Sequence, residues 1–77
     1  MNISGIVVRA HPEYVPPIIQ ALGDLDGVEV HGAADDGRMV VTVEAEQEAG
    51  LSERVLQMHD LPHVLSVSMI YHHFEEE

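Results

Sequence analysis

The two halves of this chain repeat one another at a constant offset of 36 residues, Val15 answering to Leu51, Ile19 to Val55, Leu22 to Met58, Leu25 to Leu61 and Val28 to Val64. Apolar positions that recur in this way call for two copies of one supersecondary unit sharing a core. Within the first copy, Ile3 to Ala10 is short, rich in β-branched residues and closed by His11-Pro12, so it is predicted as a strand. Val15, Ile18, Ile19, Leu22 and Leu25 then follow the spacing of one helical face, with Pro16-Pro17 in the first turn and an end at Asp24 to Gly27. Val28-Glu29-Val30-His31 alternates as a half-buried strand does. An Asp36-Gly37 turn separates it from a return strand over Met39 to Glu44. Helical spacing resumes over Glu48 to Asp60 and stops before Pro62, and the last strand runs from Val64 to His72. A doubled βαβ unit of this size implies an α+β, ferredoxin-like βαββαβ fold. Its antiparallel sheet should have the order 4-1-3-2, with both helices on one face and the other face open.

At 77 residues there is room for one small domain, 1–77, with residues 74–77 read as an acidic C-terminal tail. Lys and Arg number 3 against 14 Asp and Glu, a formal charge of −11 in a chain that is 45% hydrophobic. High charge with so much apolar content argues against disorder. With only Arg9, Arg38 and Arg54 to neutralise phosphates, nucleic acid is excluded as a partner, and a basic partner fits better. The absence of cysteine removes disulfides, thiolate catalysis and thiolate metal sites. The N-terminus lacks a basic region followed by an unbroken apolar run, and no ~18-residue apolar stretch occurs, so neither a secretory signal nor a membrane span is expected. The expected compartment is the cytoplasm.

Period-two alternation assigns the strand faces. Ile6, Val8, Val28, Val30, Met39, Val41, Val43, Leu65, Val67 and Met69 should meet the helices. Gly5, Val7, Arg9, Glu29, His31, Val40, Thr42, Glu44, Ser66, Ser68, Ile70 and His72 should point away from them. Such a face is normally polar, yet here Val7, Val40 and Ile70 form an apolar strip with acidic and histidine flanks. Isolated β-branched residues on a strand surface are ordinary; a strip across neighbouring strands also reads as a docking surface for a peptide or for a second copy in a weak homodimer.

Six histidines raise the question of a metal. His59 and His63 flank Pro62, and the neighbours His72 and His73 point to opposite sides of a strand, so these are read as solvated side chains and no metal or other cofactor is expected. No phosphate loop, nucleophile elbow or metalloprotease spacing occurs, and Asp35-Asp36 sits in a turn, so the chain is not expected to be an enzyme. Met39, Met58 and Met69 fall on core-facing positions and are read as packing.

The segments Ser4-Gly5-Ile6-Val7-Val8-Arg9-Ala10, Gly27-Val28-Glu29-Val30, Gly37 to Ala45, and Val64-Leu65-Ser66-Val67-Ser68-Met69-Ile70-Tyr71-His72 with its acidic tail resemble the NapD family over almost the whole chain. The resemblance implies a cytoplasmic chaperone for the catalytic subunit of periplasmic nitrate reductase. Such a chaperone binds the subunit's twin-arginine signal peptide and delays export until the client's molybdenum cofactor and iron–sulfur cluster are in place. The residues expected at the peptide site are Val7, Arg9, Glu29, Val40, Thr42, Glu44, Ser66, Ser68, Ile70 and His72. A second class of protein fits the same fold: a small-molecule-sensing or dimerisation module of the kind appended to metabolic regulators. A metal carrier of this fold would place thiols where His11-Pro12-Glu13 stands.

Overall fold

A computed structural model describes residues 2–74, with side chains described for residues 2–70. β1 (Asn2–Ala10) leads through one 3-10 turn (Pro12–Tyr14) into α1 (Val15–Gly23), followed by β2 (Val28–Ala33), β3 (Arg38–Ala45), α2 (Glu48–His59) and β4 (Val64–Phe74). The sheet order is β2-β3-β1-β4, and every neighbouring pair is antiparallel. This is the ferredoxin-like arrangement expected from the repeat. Pro16 and Pro17 occupy the first turn of α1, where the missing N–H groups leave no intrahelical bond unmade. β4 continues through Phe74, and residues 75–77 of the acidic tail lie outside the described residues.

The 36-residue repeat reaches the hydrogen bonds. Leu25 N–H donates to the Leu22 carbonyl and Val28 N–H to that of Leu25; Leu61 donates to Met58 and Val64 to Leu61 in the second half. Both turns place their next-to-last residue in the left-handed region, Gly27 at φ 75° and His63 at φ 70°. The glycine adopts this conformation without strain, whereas a histidine loses about 1 kcal/mol or more by doing so. His63 stacks flat on Tyr14, with ring centroids 3.7 Å apart and planes 2° from parallel. That contact offsets the backbone cost and ties the start of α1 to the loop before β4.

The core lies between the helices and one sheet face. Ile6, Val8, Met39, Val41 and Val43 from the central strands meet Ile18 and Leu22 of α1 and Leu51 and Met58 of α2. The alternation of β1 and β3 therefore lands as expected, with Met39 and Met58 fully buried as packing residues. β4 departs from expectation. Leu65 is 58% exposed rather than core-facing, because Arg9 pairs with Ser66 and Ala10 with Val64, leaving Leu65 as the extra residue of a bulge. Met69 stands opposite Ile6 on the helix side but is 52% exposed. An edge strand has a neighbour on one side only, so its core-side residues are covered less completely.

The β2–β3 connection rests on Gly37. Its φ is 96°, and a Cβ there would run into the Ala10 carbonyl oxygen. The same residue donates its N–H to the Ala34 carbonyl and accepts from Ala10 N–H. Gly37→Ala is therefore expected to cost at least about 2 kcal/mol, combining left-handed strain with displacement of backbone. Urea titration checks this: an unchanged midpoint would mean that the turn relaxes freely. Beside the turn, the Arg38 guanidinium hydrogen-bonds the Asp36 carboxylate (2.9 Å in the ion pair) and holds its pKa below the ordinary carboxylate range. A carboxylate depressed in the folded state contributes stability above its unfolded pKa and loses it as the pH falls through the folded one. That contribution is thus present at neutral pH and lost only in acid below the ordinary carboxylate range.

Candidate functional site

The strand register sets the side chains of the open face in rows. Val40 stands opposite Val7, and Val7 opposite Ser68, so the central row runs Val40, Val7, Ser68 across three strands. One row away, Glu29 faces Thr42 and Thr42 faces Gly5. In the other direction Arg38 faces Arg9, and Arg9 faces Ser66. Glu44 faces Ile3 at the far end. Directly opposed residues in such a ladder lie ~5 Å apart, close enough to form one surface. Val40 is 45% exposed and Val7 half-buried, so the middle of the face is apolar and open.

Eight of the ten residues expected at the peptide site fall in these rows: Val7, Arg9, Glu29, Val40, Thr42, Glu44, Ser66 and Ser68. Ile70 does not extend the alternation. Gly5 pairs with Tyr71 and Ile6 with Met69, which leaves Ile70 as the extra residue of a second bulge, 57% exposed beside Ser68. Past that bulge the parity of β4 changes. His72 pairs with Ser4, and its side chain lies outside the described residues. His31 is likewise a bulge residue, between the pairs Val30–Val41 and Gly32–Val40, and its ring nitrogen Nε2 is hydrogen-bonded to Thr42 Oγ1 at 2.7 Å.

The two ends of the face differ in charge. At one end a hollow of about 280 Å³ is lined by Gly27, Val28, Glu29, Thr42 and Glu44. Its floor needs a glycine, since a Cβ on Gly27 would meet the Glu44 carbonyl oxygen, while Glu44 N–H donates to the Gly27 carbonyl at 2.8 Å. An adjoining hollow of about 230 Å³ adds Glu46. Arg9 and Arg38 mark the opposite end. Arg38 is engaged by Asp36, and Arg54 is spent elsewhere, donating to the Asp26 carbonyl at 2.9 Å. Arg9 is exposed, and among the described residues its side chain makes no hydrogen bond or ion pair and acts on Asp36 only through space.

Ile3 and Arg38 complete the open face but were absent from the expected set. Alternation from Gly5 back to Ile3 would have found the first; the second required knowing that β3 begins at Arg38 and pairs with Arg9. A second apolar feature lies on the helix side, a groove of about 340 Å³ between α2 and β4 lined by Leu51, Ser52, Val55, Leu56 and Met69. Leu56, 66% exposed, is its outermost wall. Among the described residues no three of His, Cys, Asp or Glu come together as a metal site, and no helix is long and apolar enough to cross a membrane.

Two helices on one face of an antiparallel sheet, with an apolar strip and charged ends on the other, make this a ferredoxin-like domain with a candidate binding surface on its sheet. The whole-chain comparisons make this specific. The chain belongs to the NapD family: the model of the NapD protein family matches residues 1–76. Chaperone NapD of Escherichia coli strain K12 is 33% identical over 77 residues, which cover 99% of this chain and 88% of that protein. The solution structure of the Escherichia coli Tat proofreading chaperone protein NapD superposes with a TM-score of 0.86 at 32% identity, covering 97% of this chain and 80% of that one. Its relatives are chaperones and not enzymes. A transcriptional regulatory protein of the AsnC family from Pyrococcus furiosus has a TM-score of 0.78 at 17% identity, covering 99% of this chain and 53% of that one. That likeness shows the fold alone, and the fold is therefore shared by regulator domains.

Proposed function

We propose that this chain is a cytoplasmic chaperone that binds the twin-arginine signal peptide of the periplasmic nitrate reductase catalytic subunit on its open sheet face and delays export until the client's cofactors are inserted. The single observation that carries the reading is the surface that joins an apolar row, Val40 and Val7, to a hollow lined by Glu29 and Glu44. Such a leader has the matching chemistry, arginines followed by an apolar stretch. The apolar segment lies across Val7, Val40 and the bulged Ile70, and the arginines reach the glutamates. Thr42, Ser66 and Ser68 supply hydroxyls along the track, and membership of the NapD family supports the choice of partner.

Calorimetry with the synthetic leader tests this directly. Micromolar or tighter binding is expected, and an unrelated cationic peptide without the apolar segment should bind at least about tenfold more weakly, since burial rather than charge sets the residence time. No heat from the leader at any salt concentration would sink the proposal. Glu29→Gln with Glu44→Gln should weaken the leader by about 5–30-fold at low salt, the sum of two exposed charge contacts at up to ~1 kcal/mol each, and by less as salt rises. An association rate indifferent to ionic strength would remove charge steering from the mechanism.

A further inference from the structure

We infer that the open face is directional: it accepts a peptide in one orientation only, with the cationic N-terminal segment at the Glu29/Glu44 end and the chain running parallel to β1 toward Arg9. The inference rests on the proposed leader site and adds its polarity. Sequence alone places three arginines among fourteen acidic residues, and two of the three stand face to face at one end of this surface. Arg38 is six positions before Glu44 on β3, a separation of ~20 Å along the strand. Physiological salt screens charges over ~8 Å, so each end is sensed separately by what lies nearest to it.

At the Glu29/Glu44 end an arriving guanidinium meets carboxylates around a hollow large enough to admit it. At the other end it meets Arg9, an exposed side chain that acts on Asp36 only through space and forms no side-chain ion pair among the described residues. Arg38 keeps the Asp36 carboxylate turned to itself in a 2.9 Å ion pair. The apolar row is almost symmetric between the two ends, Val40 against Val7, and cannot choose a direction. Arg9 is thus the residue that makes the choice. Because β1 runs from Ile3 near Glu44 to Arg9, a peptide whose arginines precede its apolar segment lies parallel to β1 and antiparallel to β3.

The test uses the isotope-labelled full chain and a synthetic twin-arginine leader carrying a nitroxide at its N-terminus. Amide broadening at Glu29 and Glu44 should exceed that at Arg9 and Ser66 by at least about tenfold, given the ~20 Å between the ends and the inverse sixth power of distance. Equal broadening at both ends, or stronger broadening at Arg9, overturns the polarity while leaving the leader on the sheet. Broadening confined to the groove at Leu56 and Met69 overturns the proposed site itself. A charge exchange, Arg9→Glu with Glu29→Arg and Glu44→Arg, should move the strongest broadening to residue 9. The leader keeping its original direction in that variant would show that charge does not set it.

Discussion

Val40→Asp is expected to weaken leader binding by about 100-fold or more while leaving the fold in place. Val40 sits in the middle of the central row, opposite Val7, and nearly half of its surface faces solvent. Covering it with an apolar segment contributes about 1.5 kcal/mol, and aspartate both forfeits this and strands a charge under the apolar segment of the peptide. Losses at such central positions commonly exceed ~2 kcal/mol. In the free protein the new carboxylate stays in water, so folding loses only about 1 kcal/mol of strand preference, equivalent to a few degrees of melting temperature. Ile70→Asp should behave alike, with less effect on stability because the bulge has already taken Ile70 out of the ladder. Calorimetry and thermal melting by circular dichroism decide it. Wild-type affinity in both variants would mean that the leader binds elsewhere, and collapse of the melting transition would mean that Val40 is structural.

The second large effect is on stability. Leu22→Ala should lower stability by about 3–5 kcal/mol, because Leu22 is fully buried and the cavity left beneath α1 cannot close without moving the sheet. A domain of this size holds only ~4–12 kcal/mol in total, so the variant should melt about 15–30 °C lower and be partly unfolded near physiological temperature. Leu56→Ala is the control. It is the same substitution on the other helix, but Leu56 is two-thirds exposed, so a change within about 0.5 kcal/mol is expected. Similar losses at the two positions, followed by urea titration, would contradict the placement of the core on the α1 side of Leu22 and away from Leu56.

These two leucines also mark how far the sequence could be read. Leu22 matches Met58 in the repeat and was legible as core, whereas Leu56 stands outside the pattern and defines a groove visible only once α2 is seated beside β4. The same division runs through the open face. Val7, Val40, Thr42 and Glu44 lie on uninterrupted alternation in the two central strands, and their side is decided by local stereochemistry. Leu65 and Ile70 lie on β4, where two bulges break the period. A bulge is a property of two strands together, so it leaves no mark in the strand that carries it.

What the sequence by itself determined is the doubled βαβ order, the buried faces of β1 and β3 and the acidic surplus, which rest on local periodicity or on composition, and the family resemblance, which rests on particular segments such as Ser4 to Ala10 and Val64 to His72. Only the tertiary structure decided which residues become neighbours across strands. It set Arg38 opposite Arg9, gathered Glu29 and Glu44 around one hollow over Gly27, and shifted the edge strand by its bulges. Pairing register joins residues far apart in the chain, and the direction of charge across the open face exists only once that register is made.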